Sequence, residues 1–237
     1  MRNRIADFNT SLKEKTPEEV LSYFLTEFKG EIAFANSFGA EDQVILDMIY
    51  QVKKMDKDIV KIFTLDTGRL FNETYETMQY SNARYQISID VYFPDQKEVE
   101  KMVNEKGINL FYEHVENRKM CCGIRKVDSI KRALTGKKAW ITGLRREQTD
   151  NRNEIELVEW DEKFGLIKIN PLIDWTEKEI WEYIRKNKVP YHALHDKGYP
   201  SIGCAPCTRA ILPGEKGRDG RWWWENEGSQ ECGLHVK

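Results

Sequence analysis

Residues 32–43 read IAFANSFGAEDQ. The apolar run Ile32–Ala35 is a short strand that buries both faces, and the turn Ser37-Phe38-Gly39-Ala40 follows it. Val44, Ile45, Met48 and Ile49 then recur at helical spacing. Strand, small-residue turn and helix in that order make one half of a parallel βαβ unit. The pattern repeats along the chain. Ile59–Leu65 (IVKIFTL) is a second apolar strand that runs into DTGRLFNET, and Glu73–Tyr85 is helical. Ile87–Phe93 reads as a third strand, with helices near Lys97–Lys106 and over Cys122–Leu134. Ala139–Gly143 (AWITG) is a fourth strand, and shorter ones fall near Ile155–Trp160 and Gly165–Ile169.

Helix starts are signalled as clearly. Thr16-Pro17-Glu18-Glu19 and Thr176-Glu177-Lys178-Glu179 are both capping boxes, the first with a proline in its first turn. Val20, Leu21, Phe24, Leu25 and Phe28 mark the buried face of the first helix. From Val189 on, Pro and Gly replace any regular pattern. The expectation is an α/β, three-layer parallel-sheet fold with right-handed crossovers. Ligands in such folds bind beyond the carboxyl ends of the strands. Three loops fall there: SFGAED, DTGRLF and GLRREQ. Ser37-Phe38-Gly39 precedes a helix whose N–H groups suit a phosphate. Asp66-Thr67-Gly68 suits a turn or a ribose, and Arg145-Arg146 suits an anion. Each alone is ordinary turn or surface chemistry; the topology predicts that all three share one rim.

The chain has 237 residues, 40% hydrophobic and 32% charged, with a mean hydropathy of −0.66. A domain of this size buries roughly 70–75% of its unfolded surface and needs no staple to fold. The net charge of −2 argues against a general nucleic-acid binder. No apolar run reaches the ~18 residues of a membrane span. MRNRIADFNTSLKEK lacks the apolar segment of a signal peptide. A reducing cytoplasm is therefore expected, where cysteines serve metals or catalysis more often than disulfides. A homo-oligomer is compatible with the sequence.

Cys121-Cys122 and Cys204-x-x-Cys207 form two close pairs far apart in the chain. They suggest a four-thiolate metal site. Zinc is the simpler occupant, but adjacent cysteines depart from its C-x₂₋₄-C spacing and lean towards an iron–sulfur cluster. Cys232 is left over, with His235 and Lys237 nearby. Basic neighbours favour the reactive thiolate. Glycines flank this stretch, and Trp222–Trp224 upstream suit packing its base onto the body. The expected boundaries are residues 1–216 for the nucleotide-binding body and 217–237 for a mobile segment.

These residues resemble a known family, the assimilatory adenylyl-sulfate reductases, relatives of the phosphoadenylyl-sulfate reductases. The likeness runs from about Phe34 to His235. It is carried by SFGAED, LDTGRLFNET, Cys121-Cys122 with Arg125-Lys126, GLRREQ, the run Tyr199–Cys207, GRDGRW and Glu231-Cys232-Gly233-Leu234-His235. The resemblance implies a fold like the adenine-nucleotide α-hydrolases and a [4Fe–4S] cluster on Cys121, Cys122, Cys204 and Cys207. It implies that Cys232, aided by His235, attacks the sulfate of adenylyl sulfate, and that thioredoxin releases sulfite from the S-sulfocysteine. By the same likeness Lys126, Arg218 and Arg221 contact the phosphosulfate. Ser37, Phe38, Gly39, Leu65 and Gly143 contact adenosine and phosphate, beside Asp66, Thr67, Gly68, Arg145 and Arg146. Lys126 follows Cys122 by four residues, so one helix face carries both, and a cluster there positions the lysine without donating electrons. A 3′-phosphorylated substrate is the near alternative. An Fe–S tRNA-thiolating enzyme would favour an intact SGGxDS loop, where this chain has Phe38, and a basic RNA-binding surface. A zinc-stabilised nucleotide-binding regulator is the third reading.

Overall fold

The computed structural model describes residues 1–53, 58–149, 152 and 154–225. Cys232 and His235 lie outside the described residues. In chain order the elements are α1 (Ile5–Leu12), α2 (Pro17–Glu27), β1 (Ile32–Ala35), α3 (Ala40–Lys53), β2 (Val60–Leu65), α4 (Asn72–Tyr85) and β3 (Asp90–Tyr92). Then come α5 (Gln96–Lys106), α6 (Val115–Cys122), α7 (Asp128–Ala133), β4 (Ala139–Ile141), β5 (Val158–Asp161), β6 (Leu166–Ile169) and α8 (Glu177–Asn187). Both capping boxes form: Thr16 and Thr176 accept the N–H of Glu19 and Glu179 at 3.2 Å, and each glutamate reaches back.

The strands form one sheet in the order β3-β2-β1-β4-β6-β5. β1 pairs in parallel with β2 and β4, and β4 with β6; β5 pairs antiparallel with β6. This is the mixed α/β, parallel-sheet architecture expected. From β1 the chain builds outward to β2 on one side and later to β4 on the other. The order reverses between β1 and β4, and the loops after those two strands border the crevice where such folds bind ligands.

The chain divides into two compact units. The first comprises Met1–Thr64, Glu73–Asp90 and Gly136–Ala193. Its core gathers Leu21, Phe24, Phe34, Ile45, Met48, Ile141 and Ile169, all fully buried. A carboxylate sits within that core: Asp47 of α3 accepts Tyr85 Oη–H and Tyr183 Oη–H, both at 2.9 Å. Burial, and then the Asp47 charge, push both phenols well above their usual range, so they stay donors. The second unit comprises Leu65–Asn72, Val91–Thr135 and Leu194–Lys237, its described part ending at Glu225. Its own small core contains Met102, Leu110, Phe111, Cys207 and Trp222.

Two expectations are corrected. The third strand is Asp90–Tyr92, not Ile87–Phe93, because Gln86 turns left-handed (φ +53°) and the Ile87 N–H caps α4 at the Asn82 carbonyl, 3.0 Å away. The helix over Cys122–Leu134 starts earlier, at Val115, and changes its winding part-way. α6 begins at Val115 and ends at Cys122, a wider π turn spans Gly123–Val127, and α7 resumes at Asp128. Gly123 has no side chain to resist the wider winding.

Replacing Tyr183 with Phe leaves one oxygen of a buried carboxylate short of a donor. Urea unfolding of Tyr183→Phe is expected to show a loss of about 1–3 kcal/mol.

Candidate active site

The second unit holds both cysteine pairs. Cys121 and Cys122 close α6. Cys204 and Cys207 bracket a single 3₁₀ turn in which the Cys207 N–H donates to the Cys204 carbonyl at 2.9 Å. All four are free thiols, and Cys121, Cys204 and Cys207 pack into the small core around Trp222. Burial and the neighbouring Cys204 push the Cys207 thiol up to about 12, while Lys126 and Arg221 pull it down. Burial also raises Cys121; Arg125 and Lys126 oppose the rise and Cys204 adds to it.

The loop after β2 is fastened to these sulfurs. Thr67 Oγ1 lies 3.2 Å from Cys204 Sγ. The same hydroxyl oxygen accepts the Arg69 N–H at 3.2 Å. Arg125 Nη1 donates to the Thr67 carbonyl at 2.6 Å, and the Ala205 N–H to the Arg69 carbonyl at 2.8 Å. Gly68 takes φ +70° as its N–H folds onto Asp66 Oδ1 at 2.8 Å, a turn that favours glycine. Leu65 ends β2 immediately before this loop.

Arg221 is 6% exposed, and its guanidinium stacks over the Trp222 ring at 4.7 Å. Its Nε has no hydrogen-bond partner among the described residues, and Nη1 makes only a 3.4 Å contact to Ser201 Oγ. Gly203 makes the space: a Cβ there would overlap the Arg221 guanidinium. Lys126 and Arg218 are half-buried in the same unit. The chain beyond Arg221 is clamped. Arg118 Nε and Nη2 each donate to Glu225 at 2.8 Å, with both side chains buried, and the same guanidinium lies over Trp222 at 4.6 Å. Trp224 Nε1 donates to the Phe111 carbonyl at 3.1 Å.

The donor set fits an iron–sulfur group: four free thiols in one unit, a hydroxyl in hydrogen-bond contact with one of them, and Lys126, Arg125 and Arg221 acting on the sulfurs. Among the described residues, no three Cys, His, Asp or Glu side chains form a group that holds a single metal ion.

The first unit holds the two loops at the switch point. Ser37 and Gly39 line the turn after β1, where the Gly39 N–H donates to Ser37 Oγ at 3.4 Å. Phe38 sits at φ +63° with its side chain buried in the core and its N–H on Asn36 Oδ1 at 2.7 Å. Any contact it makes with a ligand is through the main chain. After β4, Gly143 backs onto α3; a Cβ there would overlap Asp42 and stand 3.0 Å from the Glu41 Cβ. Arg145 is buried and held by Glu41 at 2.9 Å, Glu147 at 2.8 Å and the Trp175 carbonyl at 3.1 Å. Arg146 pairs with Asp174 and donates from Nε to the Ile155 carbonyl. Both arginines, expected to meet an anion, brace their own loop here. Ser37, Phe38, Gly39, Gly143, Arg145 and Arg146 thus belong to the first unit; Leu65, Asp66, Thr67, Gly68, Lys126, Arg218 and Arg221 belong to the second. His192 is fully buried, with Nε2 3.0 Å from Thr74 Oγ1.

A parallel α/β sheet with ligand loops at its switch point defines a nucleotide-binding class. The family model of the phosphoadenosine phosphosulfate reductase domain matches residues 31–210, and the chain belongs to that family. It is 48% identical over 225 residues to an adenosine 5′-phosphosulfate reductase of Allochromatium vinosum, covering 95% of this chain and 86% of that one. It is 44% identical over 233 residues to one of Pseudomonas aeruginosa, covering 96% and 85%. Among solved structures, a phosphoadenylyl-sulfate reductase of Candida auris in a phosphate complex superposes with a TM-score of 0.74 at 32% identity, covering 86% of this chain and 96% of that one. An FMN adenylyltransferase of Candida glabrata, at 16% identity and TM-score 0.56, shares the fold alone; the alignment covers 94% of this chain and 72% of that one.

Sequence reading placed Thr67 at the substrate and missed its contact with Cys204. It also missed Arg125, Arg118 and Asp42. Arg125 and Asp42 stand inside the motifs that drew attention, but burial, which a motif does not display, is what reveals their roles.

Arg118→Ala leaves the buried Glu225 carboxylate unpaired. The substitution is expected to cost about 3–5 kcal/mol in chemical unfolding. Gly203→Ala forces Arg221 to move, and turnover of adenylyl sulfate is expected to fall at least about tenfold while the far-ultraviolet dichroism stays unchanged.

Proposed function

We propose that the protein reduces adenylyl sulfate to sulfite and AMP as an oxidoreductase of sulfate assimilation. The observation that carries this reading is Arg221, a buried guanidinium that meets no carboxylate among the described residues, set against Gly203 and acting on Cys207. A buried cation of that kind awaits an anion. The relatives named adenosine 5′-phosphosulfate reductase supply the class of anion.

Ser37, Phe38, Gly39, Leu65 and Gly143 contact the adenosine, and Lys126, Arg218 and Arg221 contact the phosphosulfate. The Cys232 thiolate attacks the sulfate sulfur. A sulfur–sulfur bond forms, the sulfur–oxygen bond to AMP breaks, and AMP leaves with the electron pair. A thioredoxin dithiol attacks Cys232 Sγ; sulfite departs, and the second thiol closes the reductant's disulfide. Two electrons come from the dithiol, and the balance needs no other donor. Cys121, Cys122, Cys204 and Cys207 hold a [4Fe–4S] cluster, whose chemistry when bound is to polarise and position the cations around it. Each thiolate–sulfate charge pair at 4 Å opposes the approach by roughly 4 kcal/mol at an effective dielectric of ~20. Lys126, Arg218 and Arg221 offset that repulsion. Cys232 follows the clamped Glu225 by seven positions, so its Cα reaches at most about 25 Å from that anchor. A reducing compartment such as the cytoplasm keeps that thiol and the four ligands reduced.

Incubation with ³⁵S-labelled adenylyl sulfate and no reductant tests the reading. Wild-type protein is expected to carry one label per chain on the peptide containing Cys232. Cys232→Ser is expected to bind AMP normally and take up no label. Label on the serine variant, or none on the wild type, contradicts it.

A further inference from the structure

The chemistry above makes no use of Asp42, yet this one side chain touches both switch-point loops. Its Oδ2 accepts the Ser37 N–H at 2.7 Å and the Ser37 Oγ–H at 2.6 Å. The Gly143 N–H donates to the same carboxylate, and Gly143 lies so close to Oδ1 that a Cβ there would overlap it. Asp42 is 8% exposed. The nearby cation, Arg145, pairs with Glu41 and Glu147 instead. The turn from Asn36 to Gly39 carries no charge, so Glu41 on α3 and Arg145 and Glu147 after β4 are the charged groups around it.

We propose that the ionised Asp42 carboxylate is a positioning residue for nucleotide binding, holding Ser37 and Gly143 at the separation an adenosine requires. This rests on the assignment of those two loops to the nucleoside. Three donors ordinarily hold a carboxylate below its usual range. Here burial outweighs them, Glu41 adds to it, and Asp42 is pushed up to about 6. Because the folded value lies above the unfolded value of 3.8, the ionised carboxylate weakens folding at neutral pH. That penalty is in full force above about pH 6 and disappears as pH falls below 4. A charge kept against stability, with contacts on two binding loops, is a feature retained for the ligand. The Ser37 and Gly143 N–H groups that meet Asp42 can only donate. A proton on the carboxylate therefore sets donor against donor and releases one loop.

The test is calorimetric binding of adenosine, which has no group titrating between pH 5 and 8. Wild-type affinity is expected to be about tenfold weaker at pH 5 than at pH 7.5, as one proton at about 6 requires. Asp42→Asn is expected to bind about tenfold more weakly at pH 7.5 and to lose the pH step. Glu41→Gln is expected to keep the step. A flat wild-type profile, or a step that survives in Asp42→Asn or vanishes in Glu41→Gln, overturns the inference alone. Absence of adenosine binding at pH 7.5 overturns the functional reading and the inference with it. Should Asp42→Asn fail to fold, the wild-type and Glu41→Gln profiles still decide.

Discussion

A thiol buried beside another thiol holds its proton, and the second unit is arranged around that constraint. Cys121 and Cys207 are both raised by burial and by Cys204. Arg125, Lys126 and Arg221 are the charges that work in the other direction. Thr67 directs a hydroxyl at Cys204, and Arg125 holds the Thr67 carbonyl. Thiols in such a place stay protonated and inert unless something positive meets them. A metal centre would turn the same four groups into thiolates outright. The cations recruited to tolerate buried sulfur are also those suited to an anionic substrate, so one set of charges serves both needs.

The first unit answers a different constraint. Its parallel strands require crossovers, and the reversal of order between β1 and β4 leaves two loops bordering a crevice. Those loops are shaped by contacts within the first unit. Asn36 holds the left-handed Phe38 by its N–H; Arg145 holds Glu41 and Glu147; the absence of a Cβ at Gly143 lets it close onto Asp42. Positive φ at a phenylalanine costs of order 1–3 kcal/mol and persists because the buried ring and the Asn36 contact over-determine it. The loop is therefore rigid before a ligand arrives, which lowers the ordering cost of binding.

The parallel fold was legible because Ile32–Ala35 and Ile59–Leu65 are apolar on both faces and lead into small-residue turns. Both capping boxes were legible because a threonine and a glutamate three residues apart have one common use. The π turn at Gly123–Val127 was not, since one wider turn inside a helix leaves the apolar spacing nearly unchanged. The shortened third strand was missed because Ile87 and Ile89 are apolar enough for a strand while their N–H groups serve Asn82. At the site, the cysteine pairs were readable as a set. Their setting was not, because the pairs lie some eighty residues apart in the chain and only the fold shows Thr67 against Cys204. Arg145 and Arg146 looked like an anion site because charge is visible in a sequence and its internal partners are not.

The central claim is that the four thiols of the second unit are ligands of one iron–sulfur group. Iron, acid-labile sulfide and zinc, quantified per chain in anaerobically purified protein, address it directly. The account predicts about four irons and four sulfides per chain, lost together when any one of Cys121, Cys122, Cys204 or Cys207 is replaced by Ser. One zinc per chain, or a metal-free protein that nonetheless turns over adenylyl sulfate, would contradict it.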